Sequence, residues 1–68
     1  MMIKDRRVDN LLRLAEVKAR VKMSRTTIYR RIAAGTFPAS FPISAGIVAW
    51  HESEVEAWMQ DPMGWRAA

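Results

Sequence analysis

Three arginines fall within seven positions of the run Ser24-Arg25-Thr26-Thr27-Ile28-Tyr29-Arg30-Arg31-Ile32, interleaved with hydroxyl side chains. Arginine pairs bidentately with a guanine edge or a phosphate, threonine bonds a phosphate or touches a thymine methyl, and tyrosine donates to phosphate. If the run is helical, Ile28 and Ile32 lie one turn apart and mark the buried face. Thr26, Tyr29 and Arg30 then turn largely away from them. Arg25 and Thr27 flank the helix start, where free backbone N–H groups also attract phosphate. The candidate nucleic-acid contacts are therefore Ser24, Arg25, Thr26, Thr27, Tyr29, Arg30 and Arg31. Arg31 ranks below Arg30, because it serves equally well as a solvated charge or as a partner for acidic residues later in the chain. Tyr29 divides between burying its ring against Phe37 and reaching phosphate with its hydroxyl.

Other chemistries find little material. The chain has no cysteine and one histidine, His51, with no second histidine and no carboxylate pair at ligand spacing, so no metal site and no cofactor is expected. One histidine and scattered serines do not supply a nucleophile, an oriented base and an excluded pocket, so an enzyme is not expected. Trp50 and Trp58 could stack on bases, but a tryptophan at a strand end or on the inner face of a helix is more often packing.

Charge supports the first reading. Residues 1–35 carry Lys4, Arg6, Arg7, Arg13, Lys18, Arg20, Lys22, Arg25, Arg30 and Arg31 against Asp5, Asp9 and Glu16, a balance of +7. Residues 36–68 carry Arg66 against Glu52, Glu54, Glu56 and Asp61, a balance of −3 within the total of +4. One basic and one acidic pole is the distribution expected of a small fold that meets a polyanion with one face. Sixty-eight residues feed a single core. No apolar run approaches the roughly 20 residues of a membrane span. The start of the chain has no apolar stretch of a signal peptide, so a cytoplasmic location and no membrane partner are expected.

The elements that must position these residues are readable in outline. Residues 1–10 are polar and aperiodic and read as a flexible arm, 11–61 as the folded domain and 62–68 as a tail. From Leu14 the alternation is compatible with a short strand, but Ala15, Glu16, Lys18, Ala19 and Arg20 favour a helix of about two turns. Val21-Lys22-Met23 forms a turn. Ser24 is a natural N-cap for a second helix, bonding the N–H of Thr26 or Thr27, and Gly35 stops that helix. Phe37, Pro38, Phe41 and Pro42 hold the chain extended. Ile43 and Ile47 to Trp50 make a two-stranded hairpin around Gly46. A third helix follows with Val55, Trp58 and Met59 on one face. Its cap is open between Ser53 with Glu56 and His51 with Glu54.

Four runs together carry a resemblance: Leu12-Arg13-Leu14-Ala15-Glu16-Val17; Met23 through Ile32; Gly35-Thr36-Phe37-Pro38; and Ala49 through Trp58. In this order and spacing the chain resembles the AlpA family, small phage- and prophage-associated regulators related to excisionases and to the DNA-binding domain of MerR proteins. The resemblance covers about residues 11 to 60. It implies a mainly α fold with a small β-hairpin: a winged helix-turn-helix of three helices and a two-stranded antiparallel wing. It also implies double-stranded DNA as partner, and a role as transcriptional regulator or as excision-directing (recombination directionality) factor, with an integrase or RNA polymerase as a further contact. Ala15 stands where such families often open the first helix with proline, and Lys22 where the turn often carries glycine. The hairpin tip Ser44-Ala45-Gly46 lacks the basic residue of many wings. Wing contacts would then run through Ser44 and backbone amides, shifting the binding to Arg25, Arg30, Arg31 and the N-terminal arm.

An alternative of another class stays open: a protein-interaction module, such as a small adaptor or antitoxin-like partner, in which the basic face only keeps the chain soluble. The long pairing helix of MerR-type proteins has no counterpart after Asp61, which predicts a monomer in solution. Self-association on DNA would then be helped by the apolar tail residues Met63 and Trp65.

Overall fold

A computed structural model of the chain describes residues 9–67. Among these residues six elements follow one another: β1 (Leu11–Leu12), α1 (Leu14–Val21), α2 (Arg25–Ala34), β2 (Phe41–Ser44), β3 (Ile47–His51) and α3 (Glu52–Gln60). The three helices and the hairpin turn at Gly46 lie where the sequence puts them. The sheet differs: it has three strands in the order β1-β3-β2, not two. Leu11 pairs with His51 and Leu12 with Trp50, both antiparallel. The short β1 closes the edge of β3 that a lone hairpin would leave unpaired.

Local chemistry sets the helix boundaries. Ser24 Oγ accepts the backbone N–H of Thr27 at 3.2 Å, satisfying one of the free donors at the start of α2. Gly35 ends the helix at φ +78° and donates its N–H to the carbonyls of Arg31 and Ile32. Lys22 ends α1 in the same left-handed region at φ 60°, so a lysine here occupies a conformation that glycine holds without a Cβ penalty. At the start of α1, Glu16 accepts the N–H of Arg13 at 2.8 Å. Arginine has no acceptor, so only this half of a capping box can form there.

The core joins all the elements. Leu12, Val17, Ile28, Phe37, Trp50, Val55 and Trp58 form one buried cluster. Each indole is anchored through its N–H, Trp50 to the carbonyl of Pro38 and Trp58 to that of Thr36, both at 2.9 Å. Those two bonds fix the extended segment after Gly35 against β3 and α3. Phe37 meets the edge of Trp58 at 5.0 Å between ring centroids, and Tyr29 packs on Trp50 rather than on Phe37. Met59, expected beside Val55 and Trp58, is instead exposed: the inner face of α3 covers those two residues only. Trp65 rests against the core while Met63 stays 85% exposed, so the tail offers one apolar side chain to partners instead of two.

Neither expected capping box starts α3. His51 occupies the N-cap position without a side-chain bond, and the cap comes from Asp9, 44 positions before the Ser53 it bonds. Asp9 accepts the Ser53 N–H at 3.0 Å through Oδ1 and the Ser53 hydroxyl at 2.9 Å through Oδ2, with His51 Nδ1 3.2 Å away. Beside it Asn10 donates to Glu52 Oε1 and accepts the Glu52 N–H. Asp9 and Asn10 are thus bonded to α3, and the rest of the expected arm, residues 1–8, lies outside the described residues.

The backbone N–H of Ser53, then its hydroxyl and the His51 imidazole, hold the Asp9 carboxyl below its ordinary pKa. A lowered carboxylate pKa means stability that is present above the ordinary carboxylate range and is lost as pH falls through the folded-state value. Asp9→Asn is therefore expected to lower the melting temperature at neutral pH and to make its decline between roughly pH 5 and pH 2 shallower. Parallel melting curves for the two proteins across that range would show that this cap carries no linkage.

Candidate nucleic-acid interface

α2 divides into a buried face, an exposed centre and two flanks. Ile28 is fully buried and Ile32 half-buried against the core, so the sector opposite them faces solvent. Thr26 and Arg30 are exposed at its centre. Arg25 and Tyr29 form one flank, with the Arg25 guanidinium 5.2 Å from the Tyr29 ring centroid. Tyr29 is in turn held edge-on by Trp50 at 6.1 Å between centroids. This chain of contacts biases the arginine's direction relative to the core, an exposed cation–π contact being worth about 0.5–1 kcal/mol. Thr27 and Arg31 form the other flank and are half-buried.

The candidate residues divide accordingly. Arg25, Thr26, Tyr29 and Arg30 share the accessible side, with donors free to meet a ligand. Ser24 and Thr27 are engaged with each other: the Ser24 hydroxyl accepts the Thr27 N–H and lies 3.1 Å from Thr27 Oγ1. Their first job is to start the helix. Arg31 does not pair with α3; Arg20 of α1 does, at 2.8 Å from Glu52 and 3.7 Å from Glu56. Among the described residues no carboxylate lies within ion-pair distance of Arg25, Arg30 or Arg31. α2 has no acidic residue at all. Arg20 thus offsets part of the charge of the acidic helix, and α2 itself carries three arginines and no acid.

Beside this surface runs a cleft of about 280 Å³. Its walls are the start of α1 with Arg13, the Arg25 and Tyr29 flank of α2, and the hairpin at Gly46, Ile47 and Val48. Reading the sequence for a helix-turn-helix passes over Arg13, because it precedes α1 and meets Arg25 and the hairpin only once β1 has docked on β3. The hairpin tip carries no cation, as its sequence shows, and exposes Ile43, Ser44, Ala45 and Gly46.

Among the described residues there is no group of three or more His, Asp or Glu placed to hold a metal ion. No helix among them is long and apolar enough to cross a membrane.

The family model for the prophage CP4-57 regulatory protein (AlpA) matches residues 10–63. Over 59 residues the chain is 41% identical to the uncharacterized protein ORF88 of Enterobacteria phage P4, a match that spans 87% of this chain and 67% of that one. No solved structure matches. The family match starts at Asn10, which bonds to Glu52, and runs through the end of α3, so the whole constellation around α2 lies inside it. The chain belongs to the AlpA family of phage regulatory proteins.

Proposed function

We propose that this chain binds double-stranded DNA sequence-specifically, with α2 as the reading helix, and acts as a phage or prophage regulator. The observation that carries the proposal is the exposed sector of α2: Thr26 and Arg30 at its centre, Arg25 and Tyr29 on the flank toward the hairpin, and no carboxylate on the helix. A helix of this kind, preceded by a short helix and a three-residue turn, suits the major groove, where an arginine reads guanine bidentately and a threonine meets a thymine methyl. The hairpin then sits beside the adjacent backbone.

Enrichment of a randomised duplex pool tests the reading. Repeated selection with the purified protein is expected to converge on one short motif whose affinity falls steeply with salt. A pool that stays random, or binding equal for all duplexes, would favour a basic face that serves solubility alone and an interaction module of another kind. The same contacts serve transcriptional control, with RNA polymerase as the further partner, or excision, with an integrase. A promoter reporter and an excision assay on the natural site separate these roles.

A further inference from the structure

We propose that the cleft between the start of α1, the Arg25 and Tyr29 flank of α2 and the hairpin turn seats one backbone phosphate of the duplex, with Arg13 as its ligand from outside the helix-turn-helix. This rests on the DNA-binding reading above and adds a contact that the reading does not need.

Two guanidinium-bearing residues line this cleft from separate elements. Arg25, the first residue of α2, is held over Tyr29, and Arg13 stands immediately ahead of α1. The nearest acid in sequence, Glu16, spends a carboxylate oxygen on the Arg13 backbone N–H, and among the described residues no carboxylate is within ion-pair distance of the Arg13 guanidinium. The third wall is apolar and low. Half-buried Ile47 and Val48 form one side, while Gly46, at φ +74° with no atom within 4 Å of where a Cβ would stand, leaves the mouth open. A volume of about 280 Å³ accommodates a tetrahedral oxyanion. Charge-assisted bonds from two arginines to one phosphate strengthen when part of the surrounding water is displaced. The position explains how a hairpin without a cation can still border the backbone: the positive charge comes from beneath it.

The experiment uses the duplex enriched from the random pool and replaces its phosphates one at a time by neutral methylphosphonates. For the unmodified protein, one replacement beside the α2 contact is expected to weaken binding about tenfold, and Arg13→Ala to weaken the unmodified duplex similarly and reduce the salt slope by about 1. In Arg13→Ala that same replacement should cost clearly less than in the parent, because only Arg25 remains to lose its charge partner. A matching melting temperature for Arg13→Ala shows that folding is intact. A second pair, Gly46→Asp against Gly46→Asn, keeps the test independent of Arg13, since both side chains tolerate positive φ and only aspartate places a charge at the mouth. The aspartate variant should bind more weakly than the asparagine variant. If Arg13→Ala matches the parent at every salt concentration, or loses as much as the parent at each methylphosphonate, the cleft assignment is wrong while the DNA reading stands. If the parent enriches no duplex, the reading beneath it fails first.

Discussion

Trp50→Ala is expected to leave the chain unfolded at 25 °C. The indole is fully buried at the centre of the sheet, on the strand that pairs with both neighbours. It packs on Tyr29, and its N–H holds the Pro38 carbonyl at 2.9 Å. Truncating a buried tryptophan to alanine costs about 3–5 kcal/mol through lost burial and the cavity left behind. The orphaned carbonyl adds about 1–3 kcal/mol. At roughly 0.05–0.15 kcal/mol per residue, a domain of this length has only about 3–10 kcal/mol in total. Far-ultraviolet circular dichroism and the dispersion of amide proton signals should both report a disordered chain. A cooperative thermal transition above about 45 °C would show that Trp50 is not the centre of the core.

Arg30→Ala should have the largest effect on binding of any change that leaves the fold intact. The side chain stands at the middle of the exposed sector of α2 and has no ion-pair partner among the described residues, so its loss should cost mainly contact energy with the duplex. A bidentate arginine on a base is worth about 1–3 kcal/mol, which is roughly 5- to 150-fold in affinity, with discrimination relaxed at one position of the site. Arg31→Ala, half-buried on the rear flank, should cost less. Titrations of both variants against the selected duplex, with melting temperatures as the folding control, rank the two. Equal losses, or a loss below twofold for Arg30→Ala, would take the reading role away from this face.

What could be read directly from the sequence was local. Ser24 and Gly35 bracket α2 because a hydroxyl cap and a left-handed stop act within one turn of the residues they serve. The hairpin follows from Gly46 in the same way. The contents of the α2 sectors follow from helical periodicity around Ile28 and Ile32. The misses were long-range. Leu11 and Leu12 are too few to show any alternation, and they become a strand only because β3, some 40 residues later, has a free edge. Asp9 looks like part of a polar arm until the start of α3 supplies the donors its carboxylate accepts. The Arg13 side chain has no ion-pair partner among the described residues, and the residue comes to line the cleft with Arg25 and the hairpin only through tertiary docking. For Tyr29 the sequence leaves burial against Phe37 and a phosphate contact open, and the ring partner proves to be Trp50, because the edge of Trp58 occupies Phe37.

The central claim is that the α2 face and the hairpin beside it, rather than the acidic helix or the tail, meet the duplex. Amide chemical-shift mapping by nuclear magnetic resonance, as the selected duplex is titrated in, tests this most directly. The largest shifts are expected at Arg25, Thr26, Tyr29 and Arg30, with smaller ones at Arg13 and residues 44–47, and little change at Glu54, Glu56, Met59 and Met63. Shifts centred on α3 and Met63, with α2 silent, would contradict the account.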